Sequence, residues 1–403
     1  MQQPPQQFPL SRGLENVAIA ETRLSRVDGD AGELVIGGYA LEELASRAEF
    51  EETLFLLWND RLPTLAELAG LHGELASRRA LPAPTLALLE AAAAADVAPM
   101  DALRMAIGSL GVGEPALHAT ELQAEPNPAN QQRALRLVAA VPTAVAAFAR
   151  LQRGVAPVAP DPSLGHAANY LWMLNGEPPK PEVVRALGTY LNTAVDHGMN
   201  ASTFTARVVT STRSDIGSAI VAALGALKGP LHGGAPGPAL DMVIHLQEEA
   251  ERSGESLDSL AERWVHDALD AGRRIMGFGH RVYRVRDPRA DVLGAAVDRL
   301  FPDPAAASLP RAAREVEAVV LRVLAERKPD RPLQTNVEFY TALLLAGIGL
   351  PTPLFTPTFA VARVVGWTAH VLEQIEEDRL IRPRVHYAGE LGRRWLSPDE
   401  RAA

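Results

Sequence analysis

Apolar residues recur along most of the chain at spacings of three and four, while alternating Val, Ile and Thr runs are scarce. That period predicts helices, and the abundance of Ala, Leu, Glu and Arg supports them. The segment Ser214 to Lys228 carries a full helical grammar. Ser214 stands as N-cap, Asp215 in the first turn, Ile216, Ile220, Leu224 and Leu227 on one face, Lys228 in the last turn, and Gly229-Pro230 as the stop. A second helix is expected just after Gly237-Pro238, with Leu240, Val243 and Leu246 on its buried side. Val361, Val364, Thr368, Val371 and Ile375 form a further stripe, with Glu373, Glu376, Glu377 and Asp378 on the rest of its C-terminal half and Ile381-Arg382-Pro383 as its end. Strand signal is confined to Glu33 to Gly37, where Leu-Val-Ile predicts a small hairpin. The fold class expected is therefore all-α.

At 403 residues the chain exceeds the size at which one core stops growing, so two domains are expected. Zero cysteines excludes disulfides, thiolate nucleophiles and cysteine metal sites, and fits a reducing cytoplasm, the expected location. The start, MQQPPQQFPLSRGL, lacks the basic and apolar regions of a signal peptide, and its Gln/Pro bias predicts a disordered tail over residues 1–12. The uncharged run Tyr340 to Ala362 has the length of a bilayer span, but Pro351, Pro353 and Pro357 interrupt it. Two buried segments joined by a proline-rich turn are expected there, and no membrane span.

Candidate chemistry gathers in two glycine-flanked histidines. Gly229-Pro-Leu-His-Gly-Gly-Ala235 holds His232, and Gly277-Phe-Gly-His-Arg-Val-Tyr283, followed by Asp287-Pro-Arg289, holds His280. Glycine lets backbone and ligand approach closely, so both imidazoles are presented to something. From Arg273 to Arg289 there are six arginines and one aspartate in a chain of net charge -10. Such an island suits a small anionic ligand, because guanidinium forks match carboxylates and phosphates. Nucleic acid is not expected, since its binders carry a basic face across the domain. His232 should lie beside a helix N-terminus, where the macrodipole keeps an imidazole neutral. The P-loop ending, Gly-x-Gly-x-x-Gly after a strand and His-Glu-x-x-His are all missing, so no metal is implied. Neutral histidine donors, arginine clamps and a carboxylate base suit proton abstraction next to a carbonyl, with stabilisation of the enolate.

Beyond that reaction class, ordered segments resemble the citrate synthase family, including 2-methylcitrate synthase. They are His197-Gly-Met-Asn-Ala-Ser-Thr-Phe204, Gly225 to Gly234, Gly277 to Tyr283 with Asp287-Pro-Arg289, Asn336-Val-Glu-Phe-Tyr340, and Phe355 to Arg363 with Gly366-Trp367 and Ala369-His370. Gly13-Leu-Glu15, Glu21-Thr22, Val27-Asp-Gly-Asp30 and Phe50-Glu-Glu52 extend the likeness towards the N-terminus. The resemblance implies an all-helical homodimer with a large domain, 13–233 and 349–403, and a small mobile one, 234–348. It implies catalytic roles for His232 on the thioester carbonyl of acetyl-CoA, for His280 on the ketone of oxaloacetate, and for Glu338 as base. His197, Asn200, Arg289 and Arg363 match substrate-binding positions, Arg382 matches an arginine that reaches the partner's active site, and Ser202 matches a partner of the catalytic histidine. Arg284, Gly277, Phe278 and Gly279 match coenzyme A contacts; acetyl-CoA is implied as co-substrate, with no permanently bound cofactor.

Glu338 departs from the family, which typically has aspartate there, and Gly37 stands where relatives often have arginine. A lysine often found before Asn-Val-Asp is also missing, with Arg331-Pro332 in its place. Two other readings accompany the main one: a propionyl-CoA enzyme, and a non-catalytic binder of citrate or coenzyme A. His118, His166, His245, His266 and His370 read as structural, and Trp367 and Phe359 as core.

Overall fold

The computed structural model describes residues 9–14, 17–114, 128–234, 236–280, 282–303, 307–329 and 333–401. Of the expected tail, residues 1–8 lie outside the described residues, as do His118, Arg331 and Pro332; Arg12–Leu14 form a short 3-10 turn. The expected hairpin is part of a three-stranded antiparallel sheet, β1 (Ser25–Asp28), β2 (Glu33–Ile36) and β3 (Tyr39–Ala40), with Ser25 opposite Ile36 and Ile36 opposite Tyr39. Leu34 and Ile36 alternate inward, which is the strand period.

The rest is helical. First come α1 (Leu41–Ala45), α2 (Phe50–Asn59), α3 (Leu65–Arg78), α4 (Ala83–Ala94), α5 (Pro99–Gly113), α6 (Pro128–Gln152), α7 (His166–Asn175) and α8 (Pro181–Ala194). There follow α9 (Ala201–Ser211), α10 (Ile216–Leu227), α11 (Pro236–Ser253), α12 (Leu257–Asp270), α13 (Pro288–Leu300), α14 (Ser308–Arg327), α15 (Val337–Gly347) and α16 (Phe355–Glu377).

The all-α expectation holds, with local corrections. The N-cap of α10 is Asp215, whose side chain accepts from the Ser218 amide at 2.8 Å, and Ser214 precedes the cap. Both residue types cap well, so their order alone did not decide between neighbours. α11 begins at Pro236, a residue pre-set for a first turn, and thus before Gly237-Pro238. α16 stops at Glu377, where Asp378 turns left-handed (φ 46°), before Ile381-Arg382-Pro383 is reached. The run from Tyr340 does split in two: α15 ends at Gly347, and a 3-10 turn at Thr352–Leu354 leads into α16.

Two apolar helices organise the core. α6 has the length and hydropathy of a bilayer span, yet its apolar stretch is almost wholly buried inside the protein. α16 runs against α6, α8, α9 and α10, and its stripe from Val361 to Val371 is inaccessible to solvent. Burial of each such large apolar side chain contributes about 1.5–3 kcal/mol. Gly366 allows α16 to approach the end of α8: a Cβ there would lie 2.2 Å from the Val195 carbonyl oxygen. Helices α11 to α15 pack on one another, and α13 and α15 meet α8. His197, His232 and His280 lie in the segments between these helices, Glu338 in the first turn of α15 and Arg363 within α16.

Candidate active site

Where α8 ends, Asp196 is buried and pinned: it accepts from Ser25 Oγ at 2.5 Å and from the Gly198 amide at 3.2 Å, and pairs with His370 Nε2 at 3.2 Å. Those bonds tie the loop to β1 and α16, and so hold His197. Desolvation, with Arg289, His280 and Arg363 nearby, holds the His197 imidazole well below its ordinary pKa and therefore neutral. Its Nε2 lies 3.2 Å from the hydroxyl of Tyr283.

Asn200 caps α9, accepting from the amides of Ser202 and Thr203, both at 3.2 Å. Ser202 Oγ accepts the indole N–H of Trp367 at 3.1 Å and lies 2.8 Å from Asn200 Oδ1, to which its one proton can go, and 2.7 Å from His232 Nε2, where that proton is donated if the imidazole carries its own on Nδ1. His232 itself lies in the turn after α10, fixed by bonds from its amide to Gly229 O and from Gly233 N to Leu227 O. Burial, reinforced by Arg363, pushes His232 down to about 4.

His280 is presented by a turn in which Gly277 and Gly279 take positive φ, 90° and 83°, a region that other residues enter only with strain. Asn336 N bonds to Gly277 O and Gly279 N to Gln334 O, so this turn is laced to the segment leading into α15. The backbone amides of Val282 and Tyr283 both donate to His280 Nδ1, at 3.1 and 3.0 Å. The proton of the neutral ring therefore resides on Nε2, which lies 3.4 Å from Nη2 of Arg289. Two donors side by side define a place for an oxygen acceptor. Burial and Arg289 lower His280 to about 4, against the opposing effect of Asp287.

Arg289 is 4% exposed and bound through Nε and Nη2 to Asp287, at 3.0 and 2.7 Å. Burial opposes its charge most, but Asp287, with Tyr283 and Glu338 adding to it, holds the guanidinium above its ordinary pKa and protonated. Asp287 also caps α13 and accepts from the Val337 amide at 3.3 Å. Arg363, 1% exposed on α16, donates Nε to Ala194 O at 2.8 Å and stands 4.7 Å above the Phe359 ring. Burial lowers it to about 10, with Asp196 opposing and Arg289 adding to the fall. It stays cationic at neutral pH.

Glu338 enters on the first turn of α15, which Asn336 caps by accepting from its amide at 3.1 Å. Its Oε2 is buried without a hydrogen-bond partner among the described residues. Desolvation raises its pKa, with Arg289 pulling it down and Asp287 adding to the rise. Such a carboxylate is a base waiting for a proton.

Some expected residues stand apart from this cluster in the single chain. Arg382 is exposed, with Nη1 bonded to Pro383 O at 2.8 Å. Arg284 is exposed, with Nε 3.8 Å from Asp30. Phe278 packs on Phe339 at 5.3 Å and bridges to Thr335, so its visible part is structural. Trp367 is core, as read, yet it also serves Ser202; Phe359 lines His232, with ring centres 6.4 Å apart. His370 is a buried link between Asp196 and Arg207. Sequence reasoning left out Asp196, Tyr283 and Asp287 as supports. Their signal was adjacency, since each stands within three residues of a candidate histidine or arginine.

The family model for the C-terminal domain of citrate synthase matches residues 13–384. The chain belongs to the citrate synthase family. The family is also visible in relatives over nearly the full length. The citrate synthase of Haloferax volcanii is 42% identical, the match covering 97% of this chain and 99% of that one. The 2-methylcitrate synthase of Mycobacterium tuberculosis is 37% identical over 94% of this chain and 91% of its own length. Among solved structures, citrate synthase of Thermoplasma acidophilum, in ternary complex with carboxymethyl coenzyme A and oxaloacetate, superposes with a TM-score of 0.85 at 29% identity, covering 98% of this chain and all of that one. The chain is accordingly an enzyme of the citrate synthase type.

Proposed function

We propose that the protein condenses acetyl-CoA with oxaloacetate and water to give citrate and free coenzyme A, by the following division of labour. Glu338 takes a proton from the acetyl methyl group. His232 stabilises the enol: with the Ser202 hydroxyl donating to Nε2, the neutral ring offers Nδ1–H to the thioester oxygen. His280, through Nε2–H, and Arg289 polarise the oxaloacetate ketone, while His197 and Arg363 bind the diacid. The nucleophilic carbon forms the new C–C bond, the ketone oxygen becomes the alcohol, and hydrolysis of the thioester releases coenzyme A. The observation that carries this reading is the unpartnered, buried Oε2 of Glu338 within electrostatic reach of Arg289, whose Nη2 lies 3.4 Å from His280 Nε2. Pre-set donors of this kind act where charge develops, and each is worth on the order of 100-fold or more in rate.

The same reading has residues 234–348 as a small domain closing over the substrates, with 13–233 and 349–403 as the large one. It has a homodimer in which Arg382 completes the partner's site, consistent with the exposure of Arg382 in the single chain. Arg284 meets the phosphates of coenzyme A, with Gly277, Phe278 and Gly279 beside the cofactor; Asn200 acts on substrate through Ser202. The chain holds no metal in this scheme and works in the cytoplasm.

The test is release of thiol from acetyl-CoA in the presence of oxaloacetate, followed by product analysis. Absence of thiol release from folded protein would favour a binding paralogue. The similarity to the Mycobacterium tuberculosis relative gives the propionyl-CoA reading its weight. One methylene in an apolar pocket discriminates by about 1–3 kcal/mol, so initial rates with both donors decide it.

A further inference from the structure

Tyr283 lies beside both imidazoles assigned to oxaloacetate, its ring forming a triangle with theirs. It is 5% exposed, and three of its parts are committed. Its hydroxyl lies 3.2 Å from His197 Nε2. Its ring lies 4.8 Å from the His280 ring, centre to centre, at 36°, and the Arg289 guanidinium sits 5.8 Å above it. Its backbone amide donates to His280 Nδ1 at 3.0 Å. Desolvation raises the phenol above its ordinary pKa, so it remains an O–H at neutral pH.

Taking the proposed function as the frame, we infer that Tyr283 is a positioning residue for the dicarboxylate substrate, holding His197 through its hydroxyl and backing His280 and Arg289 with its ring. The hydroxyl and the ring make separable contributions. His197 and His280 face each other edge to face at 5.6 Å, and among the described residues the hydroxyl is the side chain that hydrogen-bonds His197 Nε2. Without it, that nitrogen keeps its place in the pocket but loses its direction. The His280 tautomer does not depend on the hydroxyl, because backbone amides set it. Loss of the hydroxyl should therefore weaken capture of oxaloacetate and leave the chemical step nearly intact.

The experiment compares wild type, Tyr283→Phe and Tyr283→Leu in the thiol-release assay, with oxaloacetate and acetyl-CoA varied separately. One neutral hydrogen bond corresponds to roughly a three- to tenfold change. For Tyr283→Phe the expected result is a rise of about that size in KM for oxaloacetate, with kcat within about twofold of wild type and KM for acetyl-CoA unchanged. Tyr283→Leu should lower kcat as well, because the ring behind His280 and Arg289 is gone. Calorimetric titration with oxaloacetate should show the same loss of affinity in Tyr283→Phe. Equal oxaloacetate KM and affinity in wild type and Tyr283→Phe would overturn the inference, as would an equal effect on both substrates. A wild-type protein that releases no thiol would instead overturn the functional reading beneath it.

Discussion

Asn336 Nδ2 donates to the Gly279 carbonyl oxygen at 2.8 Å, while Asn336 Oδ1 accepts from the Glu338 amide at 3.1 Å. One side chain thus joins the turn that presents His280 to the helix that presents Glu338. Asparagine is suited to this because it offers donor and acceptor together. Replacing Asn336 with alanine should cost about 1 kcal/mol of stability through the lost cap. It should also lower kcat by on the order of 10- to 100-fold, since both groups lose their register. Asn336→Asp keeps the cap but sets an acceptor against a carbonyl, so its stability should recover more than its kcat. Thermal melts and steady-state kinetics check both; an unchanged kcat in the alanine variant would refute the linkage.

Glu338 is held against its own charge. Its folded pKa is raised by desolvation, so its contribution to stability is present when it is protonated and is lost as pH rises through the folded pKa. At pH 7 to 8, Glu338→Gln should therefore raise Tm by about 1–3 °C while lowering kcat by on the order of 100- to 10,000-fold. Scanning calorimetry beside the thiol assay reads both. A variant that is less stable and still active would remove Glu338 from the role of base.

Ser202 receives the Trp367 indole at 3.1 Å and lies 2.7 Å from His232. Ser202→Ala leaves a buried indole N–H without its acceptor, which costs about 1–3 kcal/mol. It also frees the His232 ring, so kcat should fall about tenfold with little change in oxaloacetate KM. A fall in affinity for oxaloacetate with kcat preserved would contradict the assignment of Ser202 to His232.

One buried and three half-buried imidazoles set an acid limit on the fold. Burial pushes His166 to about 3, and His232 and His280 to about 4, while His197 is held well below its ordinary value. An unfolded histidine takes up its proton near pH 6.5. The stability contributed by these depressed groups is present above that pH and is lost as pH falls towards about 4. Tm should decline across this window, with net proton uptake on unfolding at pH 5.5. Calorimetry in buffers of different ionisation enthalpy measures the uptake; a proton release there would reverse the sign of the argument.

Much of the molecule was readable from residues alone, and the unread parts share a physical cause. Helical spacing placed α10 and the buried stripe of α16, because a repeating apolar face leaves a long signal. Ends were harder: Ser214 and Asp215 are both good caps, and Asp378 adopts a left-handed turn that its sequence does not announce. Glycine-flanked His232 and His280 were legible because local backbone demands show in residue type. Asp196 and Tyr283 were not, since their meaning comes from Ser25, His370 and His197, neighbours created by folding. Arg382 is the opposite case: the resemblance names it, while the single chain leaves it exposed and away from the cluster.

Asp287 serves at once as the cap of α13, the clamp on Arg289 and the acceptor for the amide that opens α15. Reshaping this pocket for a different anion by altering Arg289 would therefore leave a naked buried charge at the meeting point of two helix starts. New selectivity and a sound scaffold cannot be chosen independently here, and retargeting must begin with a replacement for the aspartate as well as for its arginine.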